Sequence, residues 1–399
     1  MMLKLFPLVA VVLSWHICAA QSPAKELYSP LVASKVLKTY NSLPASIQYP
    51  QWTTTSGKWV LFSPRTWTSS FFPTTLYALH TRESLCGATP QNQLGIADWQ
   101  KLGWEASQGV ADISGDHTLD HDVGFLSFPF VEELSVNPGN EDAIDVVNNF
   151  ATTLAGRFSS VVGCTRSWDG LDANPFRVIM DNMMNLDLLF VSAELTGNST
   201  LREIAITHAT TTMRNQIRAD GSTWHVIDYD PKTGAIVKKH TAQGYSDSST
   251  WSRGQAWGIY GFTNMYDWTG QTEFLETARR LATYFLNNIP SDGIVPWDFN
   301  APTYQRPADS SAATIAATAL LFLSRVETDA SLANKWRTGA INVLNAMTKL
   351  SWNESWDSLL SNGTVNKPAD NYLTGTVYGD YYFVQAGNDL ISMGLASCS

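Results

Sequence analysis

The chain has 399 residues, 44% hydrophobic and 12% aromatic, enough apolar surface for a large core. Its formal net charge is −10, from 26 Lys and Arg against 36 Asp and Glu, which argues against nucleic acid or a long polyanion bound over a broad surface. An acidic ligand held in a pocket by a local Arg and His remains compatible with that balance.

Residues 1–20 read as a secretory signal: Lys4, the apolar run Leu5–Trp15, then the small residues Cys18, Ala19 and Ala20 before Gln21. The expectation is a secreted, extracellular protein forming one catalytic domain over residues 21–399. The apolar run is too short to span a bilayer, and no later stretch is long and charge-free enough, so no membrane is expected as a partner. Sequons at Asn198, Asn353 and Asn362 fit surface loops of a glycoprotein. Once Cys18 leaves with the signal, Cys86, Cys164 and Cys398 remain, allowing at most one internal bridge and leaving its pairing open. None lies in a CxxC pattern and no nucleotide motif is present, so neither a metal nor a cofactor is expected.

In chain order the patterning predicts twelve helices, approximately Pro30–Ser42, Trp67–Arg82, Leu94–Ser114, His121–Leu134, Glu141–Phe158, Arg177–Thr196, Thr200–Arg218, Trp251–Thr269, Thr272–Ile289, Ser310–Val326, Leu332–Leu350 and Gly379–Leu395. Trp224–Tyr229 and Ala235–Lys239 are strand-like and fit a small hairpin inserted between helices. The run LTGNSTLREIAITHATTTMRNQIRADGSTWH (195–225) echoes WTGQTEFLETARRLATYFLNNIPSDGIVPWDF (268–299): a Thr-Gly stop, a polar link, an amphipathic helix, then an Asp-Gly turn. Such repeats mean a solenoid or a closed ring of helix pairs. Taken two at a time, the helices make six hairpins, so the expected fold is all-α, an (α/α)6 barrel with its pocket at the ring's centre.

The most apolar segment, Arg177–Gly197, is hydrophobic nearly all round, as for a helix buried on every side, with Asp181, Asn182 and Asn185 at its start. A buried carboxylate must be paired, hydrogen-bonded or protonated. Asp181 is therefore either satisfied structurally or a catalytic acid with a raised pKa. Asp120, His121 and Asp122 sit together at another helix start; one aspartate can cap, leaving the other free to pair with Asp181. Arg253 and Trp257, four apart on one helix face, offer a guanidinium to fork onto an acid and an aromatic plane to stack on a sugar.

These stretches resemble the unsaturated glucuronyl hydrolases (glycoside hydrolase family 88). The likeness rests on LDHDVGF (119–125), MDNMMNLDLLF (180–190), HVIDYDP (225–231) and STWSRGQAWGIYGF (249–262), in family order, continued by WDF (297–299) and DSSAATIAATALL (309–321). It implies Asp181 as general acid/base, Asp122 as its partner carboxylate, and His225, Gln243, Arg253, Trp257 and Trp67 as substrate contacts. It further implies hydration of the C4=C5 bond of a 4,5-unsaturated uronic acid at the non-reducing end of lyase-generated oligosaccharides. One motif departs from the family: Trp67-Thr-Ser-Ser-Phe-Phe72 stands where members often read WTxGFW. Three alternatives share these residues: an unsaturated rhamnogalacturonyl hydrolase of family 105, an inverting glycosidase with well-separated carboxylates, and a non-catalytic sugar-binding toroid. Arg-Gly-Gln-Ala-Trp (253–257) matches the glucuronyl pattern better than the Arg-Gly-Asn-Gly-Trp of the first alternative.

Overall fold

A computed structural model describes residues 22–44, 47–169 and 175–398; the signal-like segment lies outside the described residues. The chain runs α1 (Pro30–Ser42), the hairpin β1 (Tyr49–Thr53) and β2 (Trp59–Phe62), α2 (Phe71–Cys86) and α3 (Trp99–Ala111). Next come α4 (Val123–Leu126), α5 (Phe128–Val136), α6 (Glu141–Gly156), the short pair β3 (Phe158–Ser159) and β4 (Cys164–Thr165), and β5 (Phe176–Ile179). Then follow α7 (Leu186–Thr196), α8 (Ser199–Gln216), β6 (Val226–Tyr229), β7 (Ile236–His240), α9 (Ser252–Thr269), α10 (Thr272–Asn288), α11 (Ser310–Val326), α12 (Ala330–Ser351) and α13 (Val377–Ser392).

The helices form two concentric rings. The inner ring is α2, α4–α5, α7, α9, α11 and α13, and it closes where α13 packs on α2; α1, α3, α6, α8, α10 and α12 lie outside. Composition explains the partition. Every residue of α11 from Ser310 to Leu321 is buried, as an inner helix requires, whereas α10 buries one face, Phe274, Leu275, Thr277, Ala278, Leu281, Ala282, Tyr284 and Phe285. Ends are set by local chemistry. The Asp309 carboxylate accepts from Ser311 and Ala312 N–H to start α11, and Gly197 and Gly270 stop α7 and α9 at φ 72° and 67°. This is the (α/α)6 barrel that the spacing predicts.

The seam is clamped twice. Wholly buried Arg82 of α2 donates to the carbonyls of Leu27 and Val384 and to Asn388 Oδ1, tying the N-terminal turn and α13 to α2. Cys86 is disulfide-bonded to Cys398, with Cα atoms 5.4 Å apart, which resolves the open pairing. Cys164 is left as a free, buried thiol pushed up to about 12 by desolvation.

Three predicted helices need correction. His121–Leu134 is split into Val123–Leu126 and Phe128–Val136, and Leu94–Ser114 is a short 3-10 turn followed by a helix from Trp99 to Ala111. Arg177–Thr196 is not a single helix: Phe176–Ile179 is a strand, Met180–Met184 a 3-10 turn, and only Leu186–Thr196 is α-helical. Val178 and Ile179 pair across to Ile227 and Val226, extending the expected hairpin to a three-stranded antiparallel sheet in the order β5-β6-β7. β-branched residues suit a pleated, buried surface, and an all-round apolar pattern cannot separate a buried strand from a buried helix.

Candidate active site

The N-terminal ends of the inner helices converge on one mouth of the barrel. Trp67 precedes α2, Asp122 precedes α4, Asp181 lies in the turn before α7, Arg253 and Trp257 open α9, Asp309 caps α11, and Tyr378 opens α13. The small sheet fixes the lateral spacing. Ile179 pairs with Val226 and Val226 with His240, so the next residues along (Met180, His225 and Thr241) emerge together at its edge, with Asp181 one residue further on. Met180 N–H donates to His225 O at 3.0 Å, continuing the ladder to the residue before Asp181.

Asp122 stands at the N-cap of α4 but makes no side-chain cap bond; Asp120 Oδ1 instead accepts from Asp122 N–H at 3.0 Å. The Asp122 carboxyl is thus not consumed by capping. Burial, then the like charges of Asp120 and Asp181, raise it well above the usual carboxylate range. Asp181 is raised to about 6 by burial, opposed by the Arg253 charge, its own backbone N–H and the Trp257 indole N–H. Its Oδ2 is buried without a hydrogen-bond partner, and Trp257 Nε1 faces it without closing a full bond. Asp122 and Asp181 side chains keep 16% and 14% of their exposure, so neither is sealed from the mouth.

Each carboxyl is faced by a buried histidine. His121 Nε2 lies 3.5 Å from Asp122 Oδ1, and His225 Nε2 lies 3.7 Å from Asp181 Oδ2. Desolvation pushes His121 down to about 4 and, with the Arg253 and His240 charges, His225 down to about 3, so both rings are neutral near pH 7. Neither contact is an ion pair.

Arg253 is placed differently from the expected fork onto a substrate acid. It is 1% exposed; Nη1 donates to Asp309 Oδ2 at 3.0 Å and to Thr364 O at 2.6 Å, and Nη2 to Val365 O at 2.7 Å. Its planar head lies over the Trp251 and Tyr378 rings at 4.4 and 5.4 Å. Both terminal nitrogens are thus held by the protein, while Nε is buried without a partner. What Arg253 contributes at the mouth is a fixed positive charge beside Asp181 and an anchor for the 364–365 loop. Gln243 Nε2 reaches the same Val365 carbonyl at 3.4 Å, and its own carbonyl accepts from Trp297 Nε1 at 2.7 Å. Trp257 is fully buried, its ring 5.3 Å from Phe125 and 5.6 Å from Tyr382, so it forms the floor. Half-buried Trp67 packs at a tilt against Tyr378, ring centroids 4.8 Å apart, and forms the wall. The departure in its motif is local: Ser70, where the family has Gly, donates to Phe125 O at 2.6 Å, and Phe72 is buried.

Several participants were not singled out from sequence. Trp251 packs its ring 4.3 Å from His225, and the buried Tyr378 hydroxyl lacks a hydrogen-bond partner. Thr241 bonds His225, and Asn185, read from sequence only as a polar residue in an apolar segment, bonds His121. Their signal was adjacency to the motifs, which does not report side-chain direction. Among the described residues, Asp120, His121 and Asp122 are the one trio whose ligand atoms lie close enough to share a cation, within 4.8 Å of one another.

No family model matches the chain. It is 36% identical over 329 residues to an unsaturated glucuronyl hydrolase of Formosa agariphila, covering 80% of this chain and 78% of the relative. It is 34% identical over 278 residues to an unsaturated glucuronyl hydrolase of Bacillus sp. strain GL1, covering 67% and 73%. Among solved structures, an unsaturated glucuronyl hydrolase specific for heparin superposes with a TM-score of 0.83 at 28% identity, over 94% of this chain and 98% of the other. The Bacillus sp. GL1 enzyme, responsible for glycosaminoglycan degradation, superposes at 0.80 and 27% identity, over 91% and 95%. By sequence and by fold, the chain belongs to the unsaturated glucuronyl hydrolases.

Proposed function

We propose that Asp181 is the proton-cycling acid of this hydrolase and Asp122 its partner. The substrate's C4=C5 bond is an enol ether conjugated to the carboxylate. Asp181 gives its proton to C4, leaving oxocarbenium-like charge at C5; water adds at C5 and returns a proton to Asp181. The hemiketal opens, the ring oxygen leaves C5 as a hydroxyl on C1, and that hemiacetal expels the next sugar. No bond from water to the anomeric carbon is needed.

The observation that carries this assignment is the Asp181 carboxyl, raised to about 6 by burial, whose Oδ2 is buried without a hydrogen bond. A group titrating near working pH can both give and take a proton. Asp122, raised by burial and then by the like charges of Asp120 and Asp181, suits orientation of the sugar. The Arg253 charge and six converging helix N-termini favour the substrate's carboxylate at this mouth. Trp67 and Trp257 offer apolar surface to the ring, and Gln243 and His225 offer polar contacts to its edge. The substrate class is unsaturated uronic-acid-containing oligosaccharides from lyase action. Secretion is part of the reading, supported by the signal-like N-terminus and the Cys86–Cys398 bridge. Of the three sequons, Asn198 is exposed at the start of α8 with only its Oδ1 engaged, and is the one best placed to carry a glycan.

Turnover in D2O tests the chemistry. The ultraviolet absorbance of the unsaturated sugar should vanish in step with release of its neighbour, with one deuterium at C4 of the promptly trapped product. A freed sugar that still absorbs and carries no deuterium would mean direct glycosidic attack.

A further inference from the structure

Both active-site histidines have one ring nitrogen committed by residues outside the mouth. Asn185 is wholly buried, and its Oδ1 accepts from Phe125 N–H at 3.0 Å, which fixes the orientation of its amide. The amide nitrogen therefore faces His121 Nδ1, at 3.1 Å, as the donor. Gly124 makes this approach possible: a Cβ there would sit 2.3 Å from Asn185 Cα. At the other histidine, Gly244 N–H donates to Thr241 Oγ1 at 2.8 Å, freeing the hydroxyl hydrogen for His225 Nδ1 at 3.0 Å. Ala242 N–H points at the same nitrogen from 3.4 Å.

A neutral imidazole whose Nδ1 accepts must carry its hydrogen on Nε2. The Nε2 atoms are the ones that face Asp122 and Asp181, and neither has another partner. We propose that Asn185 is a positioning residue that locks His121 as an Nε2–H donor to Asp122, as Thr241 locks His225 toward Asp181. This rests on the reaction assigned above and adds a constraint to it. Neither ring has a lone pair facing the substrate, so no proton is accepted by histidine at this site. It also decides against a cation among Asp120, His121 and Asp122, because the Nε2 that would bind it bears a hydrogen.

The test is long-range proton–nitrogen NMR of the enzyme with 15N-labelled histidine, with no substrate needed. The wild-type protein should show His121 and His225 with Nδ1 unprotonated and Nε2 protonated near pH 7. Asn185→Asp keeps the size and the Phe125 contact but replaces the donor by an acceptor, so His121 Nδ1 should become protonated. kcat should then fall about 10- to 100-fold with little change in KM, as when an outer partner orienting an active-site group is lost. Thr241→Val should loosen His225 in the same sense, and Thr241→Ser should restore it. A wild-type His121 protonated on Nδ1 overturns the proposal even if every variant fails to fold, and so does an inverted ring with unchanged kcat. If the wild-type tautomers are as stated but no unsaturated oligosaccharide is turned over, the reaction assignment fails and the hydrogen-bond network stands.

Discussion

Two halves of the barrel hold buried carboxylates, and they are built differently. At the N-terminal mouth, Asp181 has an unbonded oxygen with an indole N–H and an imidazole facing it. In the far half, a cavity of about 120 Å³ is lined by Phe128, Met183, Asp187, Tyr260 and Tyr382 among others. There Asp187 Oδ1 accepts from Asn264 Nδ2 at 2.9 Å and Trp268 Nε1 at 2.7 Å. Asp389 Oδ1 accepts from Arg325 and Gln385. Glu132 is raised to about 7, by burial and then by Asp187 and Asp389, so its charged neighbours are further carboxylates. A raised pKa therefore occurs in both halves and does not by itself mark chemistry. The mark is an oxygen left unbonded, with donors held near it, at the end that stays open.

The comparison is broken most sharply by paired substitutions. Asp181→Asn keeps the shape but cannot cycle a proton, so kcat should fall about 100- to 10,000-fold while substrate still binds. Asp187→Asn in the far half should leave kcat within a few-fold. Equal losses in both variants would erase the distinction between the halves. Arg253→Ala comes next. It strands Asp309, which is 0% exposed, and removing one member of a buried pair costs about 3–5 kcal/mol of stability. A thermal or denaturant melt measures this, and an unchanged melt with lost activity would instead return Arg253 to direct substrate reading.

Reduction of Cys86–Cys398 should cost about 2–4 kcal/mol, read as a lower Tm with the active-site geometry preserved. The smallest effect is expected for Ser70→Gly, which deletes the bond to Phe125 O at a cost of about 0.5–1.5 kcal/mol and little activity. A large activity loss there would show that Ser70 shapes the pocket wall.

Much of this was legible in the residues. Helix spacing and the Thr-Gly stops predicted the paired rings, and the burial of Asp181 followed from its apolar surroundings. The Phe176–Ile179 strand was not legible, because its partner Val226–Tyr229 is some fifty residues away and pattern alone favoured a helix. The protein partners of Arg253 were not legible for a similar reason: spacing placed it beside Trp257, but only the fold brings Asp309 and the 364–365 loop onto its guanidinium. Asn185 was visible as a buried amide, yet its role depends on the direction in which that amide points.

Asp181 also sets a pH dependence whose sign is fixed. Its folded pKa of about 6 lies above the ordinary aspartate value of 3.8, so the folded state holds the extra proton. That contribution to stability is full below the lower value and is lost as pH rises through about 6, and the acid form needed for catalysis is lost over the same interval. The most direct test is a 13C NMR titration of the carboxyl carbons alongside the histidine nitrogens. A carboxyl titrating near 6, absent in Asp181→Asn, with His121 and His225 silent above pH 5, is the predicted result. An Asp181 carboxyl ionised below pH 4.5 together with a histidine titrating near 6 would contradict the account and move the proton to the imidazole.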